Sequence, residues 1–198
     1  MKFKLTEETK QFLGRKLYRI EAVCDFGNVS KGDKGGFIEK EKNLSQSGNA
    51  WVSDNAMVSS NAMVFGNAWV SDNAMVFGNA RVFGNARVFG DTEVFGNTRV
   101  FGNAMVSGNA MVFGNAWVSD NAEVFGDAEV FSNARVYDNA WVSGNARVSD
   151  NAMVFGNAWV SSDARVSGNE TPTETIKIGE QEYNKSEVED ALKNVKSL

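Results

Sequence analysis

Three short segments pair an arginine with an aromatic residue at regular spacing. They are Arg81-Val82-Phe83, Arg99-Val100-Phe101 and Arg135-Val136-Tyr137, and they share one 18-residue period. A guanidinium group binds phosphate or carboxylate through paired hydrogen bonds, and it packs well against an aromatic ring. Six residues are therefore candidates for binding a small anionic, stackable ligand such as a nucleotide: Arg81, Phe83, Arg99, Phe101, Arg135 and Tyr137.

The sequence shows no evident catalytic constellation. It contains no histidine, which is the commonest general base and metal ligand. Glu93 and Glu129 are two 18-residue periods apart. If each period forms one coil of a stacked β structure, the two carboxylates lie roughly 10 Å from each other. Carboxylates at that distance do not form a close pair, and we interpret these two and Glu123 as solvated. We predict no catalytic residue, no metal site and no cofactor, and hence a non-enzymatic protein.

A six-residue repeat is the element that would position these side chains. Valine occupies every sixth position from Val52 to Val166, which makes 20 valines, and alanine precedes each by two positions except at Thr92 and Thr98. In a strand Ala-x-Val, the first and third side chains point to one face and x points to the other. The preceding Gly, Asp or Ser and the Asn predict a turn, because Gly and Asn tolerate positive φ and Asn can bond its own backbone.

Three such strand-and-turn units predict one triangular coil with an 18-residue period. Each coil would pair with the next through parallel strands about 4.8 Å apart. The segment from 49 to 168 makes nearly seven coils and a rod roughly 30 Å long. The expected fold class is all-β, a parallel β-helix in the form of a triangular solenoid.

The chain on either side of the repeats predicts two smaller regions. Residues 1–48 form an N-terminal cap, with a strand-like run over 16–23 and glycine turns over 32–36. Ile38 and Leu44 precede Ala50 at the spacing of two repeats and one repeat, so the repeat phase is expected to begin inside the cap. Residues 169–198 form a linker, a strand over 175–178 and a helix.

The outward positions, sorted by the 18-residue period, give three faces. On the second face four phenylalanines form a row that predicts a homo-oligomer interface: Phe77, Phe95, Phe113 and Phe131. The apolar stripe of the C-terminal helix, Val188, Leu192 and Val195, predicts a helix that caps the last coil, with part of the oligomer interface or a partner-docking helix as the alternative. The first face carries two tryptophan pairs that we expect to stack, Trp51 with Trp69 and Trp141 with Trp159. The alternatives for the aromatic rows are a surface that binds a partner and solvent-exposed side chains that bind nothing.

Units such as Val88-Phe89-Gly90-Asp91-Thr92-Glu93 resemble the hexapeptide repeat of left-handed parallel β-helix proteins. That superfamily includes acyltransferases and zinc-dependent γ-class carbonic anhydrases, and its members are commonly trimeric. The resemblance implies left-handed winding and favours a homotrimer. The catalytic and zinc-binding histidines of those enzymes have no counterpart here, so neither mechanism transfers to any residue of this chain.

The N-terminal region is similar to the leader of a phage and prophage subset of such proteins. The similarity rests on segments 17–22, 25–29, 32–39 and 43–46, and members of that subset are often labelled as transferases or left uncharacterised. The resemblance favours a phage-encoded binding or structural protein, with a nucleotide sponge acting against host defence as a concrete version. An acyltransferase-like enzyme and a virion or tail component are the alternatives.

Composition narrows the class of partner and the compartment. The net charge of −5 and the pI of about 4.9 argue against general nucleic-acid binding. The sequence has no apolar run long enough to span a membrane and no signal-peptide pattern, and its one cysteine, Cys24, suits a reducing compartment. We therefore expect a protein of the cytoplasm, that of the host cell if it is phage-encoded, with a small anionic ligand or a host protein as partner.

Overall fold

The computed structural model describes residues 1–168, 175–178 and 181–184 and shows a β-solenoid of about seven coils. Twenty two-residue strands line its three faces. The first face holds β4 (Trp51–Val52), β7 (Trp69–Val70), β10 (Arg87–Val88), β13 (Met105–Val106), β16 (Glu123–Val124), β19 (Trp141–Val142) and β22 (Trp159–Val160). The second holds β5 (Met57–Val58), β8 (Met75–Val76), β11 (Glu93–Val94), β14 (Met111–Val112), β17 (Glu129–Val130), β20 (Arg147–Val148) and β23 (Arg165–Val166). The third holds β6 (Met63–Val64), β9 (Arg81–Val82), β12 (Arg99–Val100), β15 (Trp117–Val118), β18 (Arg135–Val136) and β21 (Met153–Val154).

Apart from the last strand of each face, every strand of the solenoid pairs in parallel with the equivalent strand of the next coil, as Trp51 does with Trp69. The backbone N–H of Trp51 donates to the Ala68 carbonyl at 3.0 Å, and the N–H of Ser53 donates to the Val70 carbonyl at 2.9 Å. The strands contain x and Val only, one residue fewer than expected, because the alanine already lies at the bend. The all-β parallel solenoid predicted from the repeat is confirmed.

The interior is filled by the repeated valines and alanines. All 20 valines are buried, and the alanines are buried as well apart from Ala164 in the last coil. A β-branched side chain fits a pleated interior, whereas the bend has room for little more than a methyl group. Thr92 and Thr98 take alanine positions within one coil and are fully buried.

The corners use glycine and asparagine for different purposes. Positive φ falls on the Gly, Asp or Ser that precedes each asparagine, for example 73° at Gly84, and not on the asparagine itself. The asparagines form ladders along the axis instead of bonding their own backbone, as Asn85 Nδ2 donates to Asn103 Oδ1 at 3.0 Å. A side-chain amide can donate and accept at once, so one such residue per coil builds a continuous chain of hydrogen bonds.

An antiparallel sheet precedes the coils and extends the second face. It consists of β1 (Phe3–Phe12), β2 (Arg15–Ala22) and β3 (Lys34–Ile38), and β3 pairs in parallel with β5. The predicted glycine turn over 32–36 is wrong beyond Gly32, because Gly35 and Gly36 lie within β3. A Cβ atom at Gly35 would be only 2.5 Å from Ile20 Cγ1, so glycine permits this close approach.

The repeat phase begins within this N-terminal region but with a shifted register. Ile38 pairs with Val58, and Leu44 forms a bridge with Val64, so each pair spans a longer stretch of chain than the pairs of the regular coils. A short 3-10 helix, η1 (Glu41–Asn43), stands where a third-face strand of this first turn would lie. Ile38 and Leu44 are buried at interior positions equivalent to valine.

The described part of the C-terminal region is a hairpin. It pairs β24 (Thr175–Ile178) with β25 (Gln181–Asn184) in antiparallel fashion. The strand predicted over 175–178 is confirmed, and β25 was not expected. The predicted helix with Val188, Leu192 and Val195 lies outside the described residues.

The Lys2 side chain closes the N-terminal end of the first coil. Its amine donates hydrogen bonds to the carbonyl oxygens of Gly48 at 3.3 Å and Ala50 at 2.7 Å, and it lies 4.8 Å from the centre of the Phe26 ring. Burial lowers the pKa of Lys2 from its ordinary value of 10.5 to about 8, because desolvation disfavours the charged amine, while nearby Cys24 acts in the opposite direction.

Replacing both Thr92 and Thr98 by valine should stabilise the protein. Their buried hydroxyl groups have no hydrogen-bond partner among the described residues, and leaving such a group unpaired costs about 1–3 kcal/mol. Valine preserves the shape of threonine, so we expect the free energy of unfolding in urea to rise by at least about 1 kcal/mol per site. Serine at both positions is the matched control and should lower it. Valine variants less stable than the parent would show that the hydroxyls have a partner.

Lys2 should make the stability of the protein depend on alkaline pH. Between pH 8 and 10.5 the unfolded chain binds more protons than the native protein, so the free energy of unfolding rises with pH in this window. The rise attributable to Lys2 is at most about 3 kcal/mol. Lys2→Gln should remove this component of the slope, measured by urea unfolding at several pH values. Equal slopes in the parent and the variant would contradict the assignment.

Candidate functional site

The third face brings together the six residues predicted to bind a ligand. Arg81 pairs directly with Arg99, and Arg135 lies two coils beyond Arg99. All three arginines are exposed, whereas Phe83, Phe101 and Tyr137 are half-buried. Within the described residues, none of these guanidinium groups forms a salt bridge or a hydrogen bond with a side chain or backbone group.

Trp117 occupies the coil between Arg99 and Arg135 and was not among the predicted binding residues. The guanidinium carbons of both arginines lie 4.7 Å from the centre of its ring. Two cations therefore pack against one indole, which restricts their orientation, and their N–H groups have no acceptor in the part of the chain that the structure describes. A tryptophan between two arginines of the same 18-residue row is the sequence signal that could have revealed this arrangement.

The aromatic rings of the third face stack on one another along the axis. Phe65 and Phe83 have ring centres 4.8 Å apart, and Phe83 and Phe101 have centres 5.0 Å apart, with planes within 3° of parallel. A ligand therefore cannot insert between these rings. The row is interrupted at Ser119, which is buried beside Trp117, and Trp117 meets Phe101 edge-on at 6.3 Å.

The second-face row is a continuous stack of four rings. Neighbouring centres in the series Phe77, Phe95, Phe113 and Phe131 are 4.9–5.1 Å apart, with planes within 4° of parallel. Phe12 packs edge-on against the first ring at 5.7 Å, and Arg147 lies over the last at 5.4 Å while bonding Glu129 at 2.9 Å. The stack thus has protein contacts at both ends, and its rings are half-buried.

The tryptophans of the first face are not stacked as expected. Trp141 and Trp159 meet at 74° with ring centres 6.0 Å apart, and both are exposed. Trp159 leans over the preceding coil, where its indole N–H donates to the Ser143 hydroxyl at 3.2 Å. Trp51 is 2% exposed and packs edge-on against Phe26. Trp141 likewise meets Phe125 of the preceding coil edge-on at 6.2 Å, so these indoles tilt across the coil spacing.

Two grooves flank the N-terminal coils. One of about 760 Å³ lies at the start of the third face and is lined by residues 40–46 and 61–65. The other, of about 750 Å³, lies on the first face between the loop at Gly27 and the side chains of Trp69, Arg87 and Phe89. Neither groove was predicted, because both depend on how the N-terminal region folds over the coils.

The described residues contain no group of three or more Cys, Asp or Glu side chains placed to hold a metal ion. Glu93 and Glu129 lie on the second face two coils apart, with Met111 between them in the ladder. In the part of the chain that the structure covers, no helix has the length and apolar character needed to cross a membrane.

Part of the repeat region matches a known repeat family. Residues 104–120 and 146–162 match the family model of the YdcK beta solenoid repeat. The search of curated proteins finds no match to the chain. The matched segments and the parallel stacked coils together define the class: the chain is a β-helix repeat protein, similar over those residues to the YdcK repeat.

The double substitution Phe95→Ser and Phe113→Ser should destabilise the solenoid. It removes three stacked ring pairs, each worth about 0.5–1.5 kcal/mol beyond area burial, so we expect a loss of about 2–4 kcal/mol in urea unfolding. Phe89→Ser is the control, because Phe89 has no ring partner among the described residues. A double variant no less stable than this control would show that the stack contributes little.

Proposed function

We propose that this protein is a non-enzymatic binding scaffold whose third face holds an anionic, stackable ligand, with a nucleotide as the concrete case. The observation that carries the proposal is the row of Arg81, Arg99 and Arg135, three exposed cations without salt bridges in the described structure. Arginine N–H groups that have no protein acceptor suit the oxygens of phosphate.

The charges on the three faces differ in a way that supports this choice. Outward strand positions of the first face carry Arg87 and Glu123, and those of the second carry two glutamates and two arginines. The third face carries three arginines and no carboxylate at these positions. A cationic face on a chain of net charge −5 attracts anions locally, whereas the molecule as a whole repels polyanions.

The regularity of the solenoid favours binding over catalysis. The 20 repeats from residue 49 to 168 carry no inserted loop that would build a catalytic pocket, and the chain has no histidine to act as a general base. The parallel strands hold outward side chains in rows about 4.8 Å apart, close to the spacing at which flat groups pack. Such a surface presents fixed rings and charges to a partner.

The proposal extends to the superfamily, the compartment, the biological role and the oligomeric state of the protein. We place the protein with the left-handed hexapeptide-repeat superfamily and its phage and prophage subset, in the cytoplasm of the host cell. There it would bind nucleotide signals of host defence and so lower their free concentration. It would assemble as a homo-oligomer through the second-face phenylalanines, in which case the Phe95→Ser, Phe113→Ser variant should also show a lower mass on sizing.

Calorimetric titration of the full chain with cyclic and linear nucleotides tests the proposed function. We expect micromolar binding that weakens with salt, because phosphate contacts are electrostatic. Arg81→Gln with Arg99→Gln should weaken it at least about tenfold, since charge-assisted hydrogen bonds to phosphate are lost. The matched control is Arg87→Gln with Arg165→Gln, which changes net charge equally on the other two faces.

Two results would overturn the proposal. One is the absence of binding by the parent chain to every nucleotide at micromolar concentration. The other is an equal loss of affinity in both double variants, because this would assign the effect to net charge and not to the third face.

A further inference from the structure

We infer that the groove at the N-terminal end of the third face is a binding slot for a planar anion, whose ring stacks on Phe65 and whose charge lies near Lys42 and Arg81. This inference rests on the proposed function and deepens it by naming the ligand position. The groove, of about 760 Å³, is lined by residues 40–46 and 61–65. A nucleoside monophosphate has both a flat ring and an anionic group.

Phe65 is the first ring of the third-face stack, and no other ring of the described residues stacks on its second side. Its other side packs on Phe83 at 4.8 Å. The residue one turn earlier is Ser45, whose N–H donates to the Val64 carbonyl at 2.9 Å just as the Phe65 N–H donates to the Val82 carbonyl at 3.1 Å. Ser45 therefore takes the backbone position of a phenylalanine without supplying a ring. The place that the next ring of the row would occupy is therefore part of the groove.

On the second face, by contrast, the N-terminal end of the row of rings is covered. There the first ring of the stack, Phe77, is covered by Phe12 of β1 at 5.7 Å. The sheet of β1, β2 and β3 extends the second face, whereas the third face begins with β6 and only a bridge between Leu44 and Val64 precedes it. The first turn thus leaves the third-face row open at its N-terminal end.

Hydrogen bonds from a buried side chain to backbone carbonyls fix one wall of the groove. The Asn43 side chain is buried and donates to the carbonyls of Ser60 at 3.2 Å and Ala62 at 2.8 Å, which fixes the short helix η1 against the first coil. Met63, beside Phe65, is 41% exposed and supplies a polarizable apolar edge. A rigid, partly apolar wall next to a ring suits a flat ligand.

The charges around the groove favour an anion. Lys40 and Lys42 line it together with one carboxylate, Glu41. Arg81 follows Met63 in the third-face ladder and adds a further cation on the same side. The Glu39 carboxylate is engaged by other groups, since it accepts hydrogen bonds from the Ser60 N–H at 2.6 Å and from Arg15 at 2.8 Å. Burial acts to raise the pKa of Glu39, but these two donors hold it below its ordinary value.

Adenosine 5′-monophosphate, titrated into the full chain and followed by methyl NMR of methionine, tests this slot. The Met63 methyl signal should shift because the bound ring lies beside it, and the signal of Met111 on the second face should not. Phe65→Ser should weaken binding at least about tenfold, as loss of one base–aromatic stack does. Phe113→Ser is the matched control, because it makes the same change on the second face. Ribose 5-phosphate, which lacks the base, should bind at least tenfold more weakly than the nucleotide.

The outcomes separate this inference from the proposed function. Equal affinity of Phe65→Ser and Phe113→Ser, with binding still lost in the Arg81, Arg99 variant, would overturn the slot and leave the third-face proposal standing. Loss in Phe65→Ser with no loss in the arginine variant would overturn the arginine row and, with it, the position given to the anion beside Arg81. No binding to the parent chain would overturn both. A mass that grows with protein concentration in the parent but not in Phe65→Ser would show that a second copy occupies the slot, which also overturns it.

Discussion

The hydrogen bond from a backbone N–H of one coil to a carbonyl of the next is the interaction on which the rest of this structure depends. It joins Trp51 to Ala68 in the first repeats and Arg147 to Ala164 in the last. A two-residue strand cannot pair stably by itself, so each coil requires the coil beside it. The six-residue spacing of valine makes this possible, because it returns an apolar side chain to the interior of every strand in every coil.

The same register governs the outer surface. Equivalent residues of successive coils lie one above the other at the strand spacing, so chemically similar residues form ladders. This explains the asparagine chains at the corners and the stacked phenylalanines on the second and third faces. A tryptophan is too wide for such a column and tilts over the preceding coil, as Trp117 does toward Phe101 and Trp159 toward Ser143. Serine after each tryptophan strand leaves the space that this tilt requires.

Function in such a molecule is expected where the regular pattern changes. A complete ladder satisfies its own ring faces, and Phe95 and Phe113 have neighbours on both sides. The third face differs because Trp117 separates two arginines, and because Ser45 leaves the first ring, Phe65, open on one side. Both departures combine a cation with an aromatic surface, and this is why we propose a binding role for that face.

By itself the sequence determined the solenoid, its three faces and the rows of outward residues, since all of these follow from a period of six repeated 20 times. It also indicated that Arg81, Arg99 and Arg135 share a face. Only the tertiary structure decided which ring faces are covered, how Trp117 is oriented, and where the N-terminal turn leaves a groove beside Phe65. The longer first turn, in which Ile38 and Leu44 meet the first coil, could not be read from the period. The physical reason is that a repeat encodes contacts between identical neighbours, whereas the first turn is held by contacts between unlike segments such as Lys2 with Ala50 and Asn43 with Ala62.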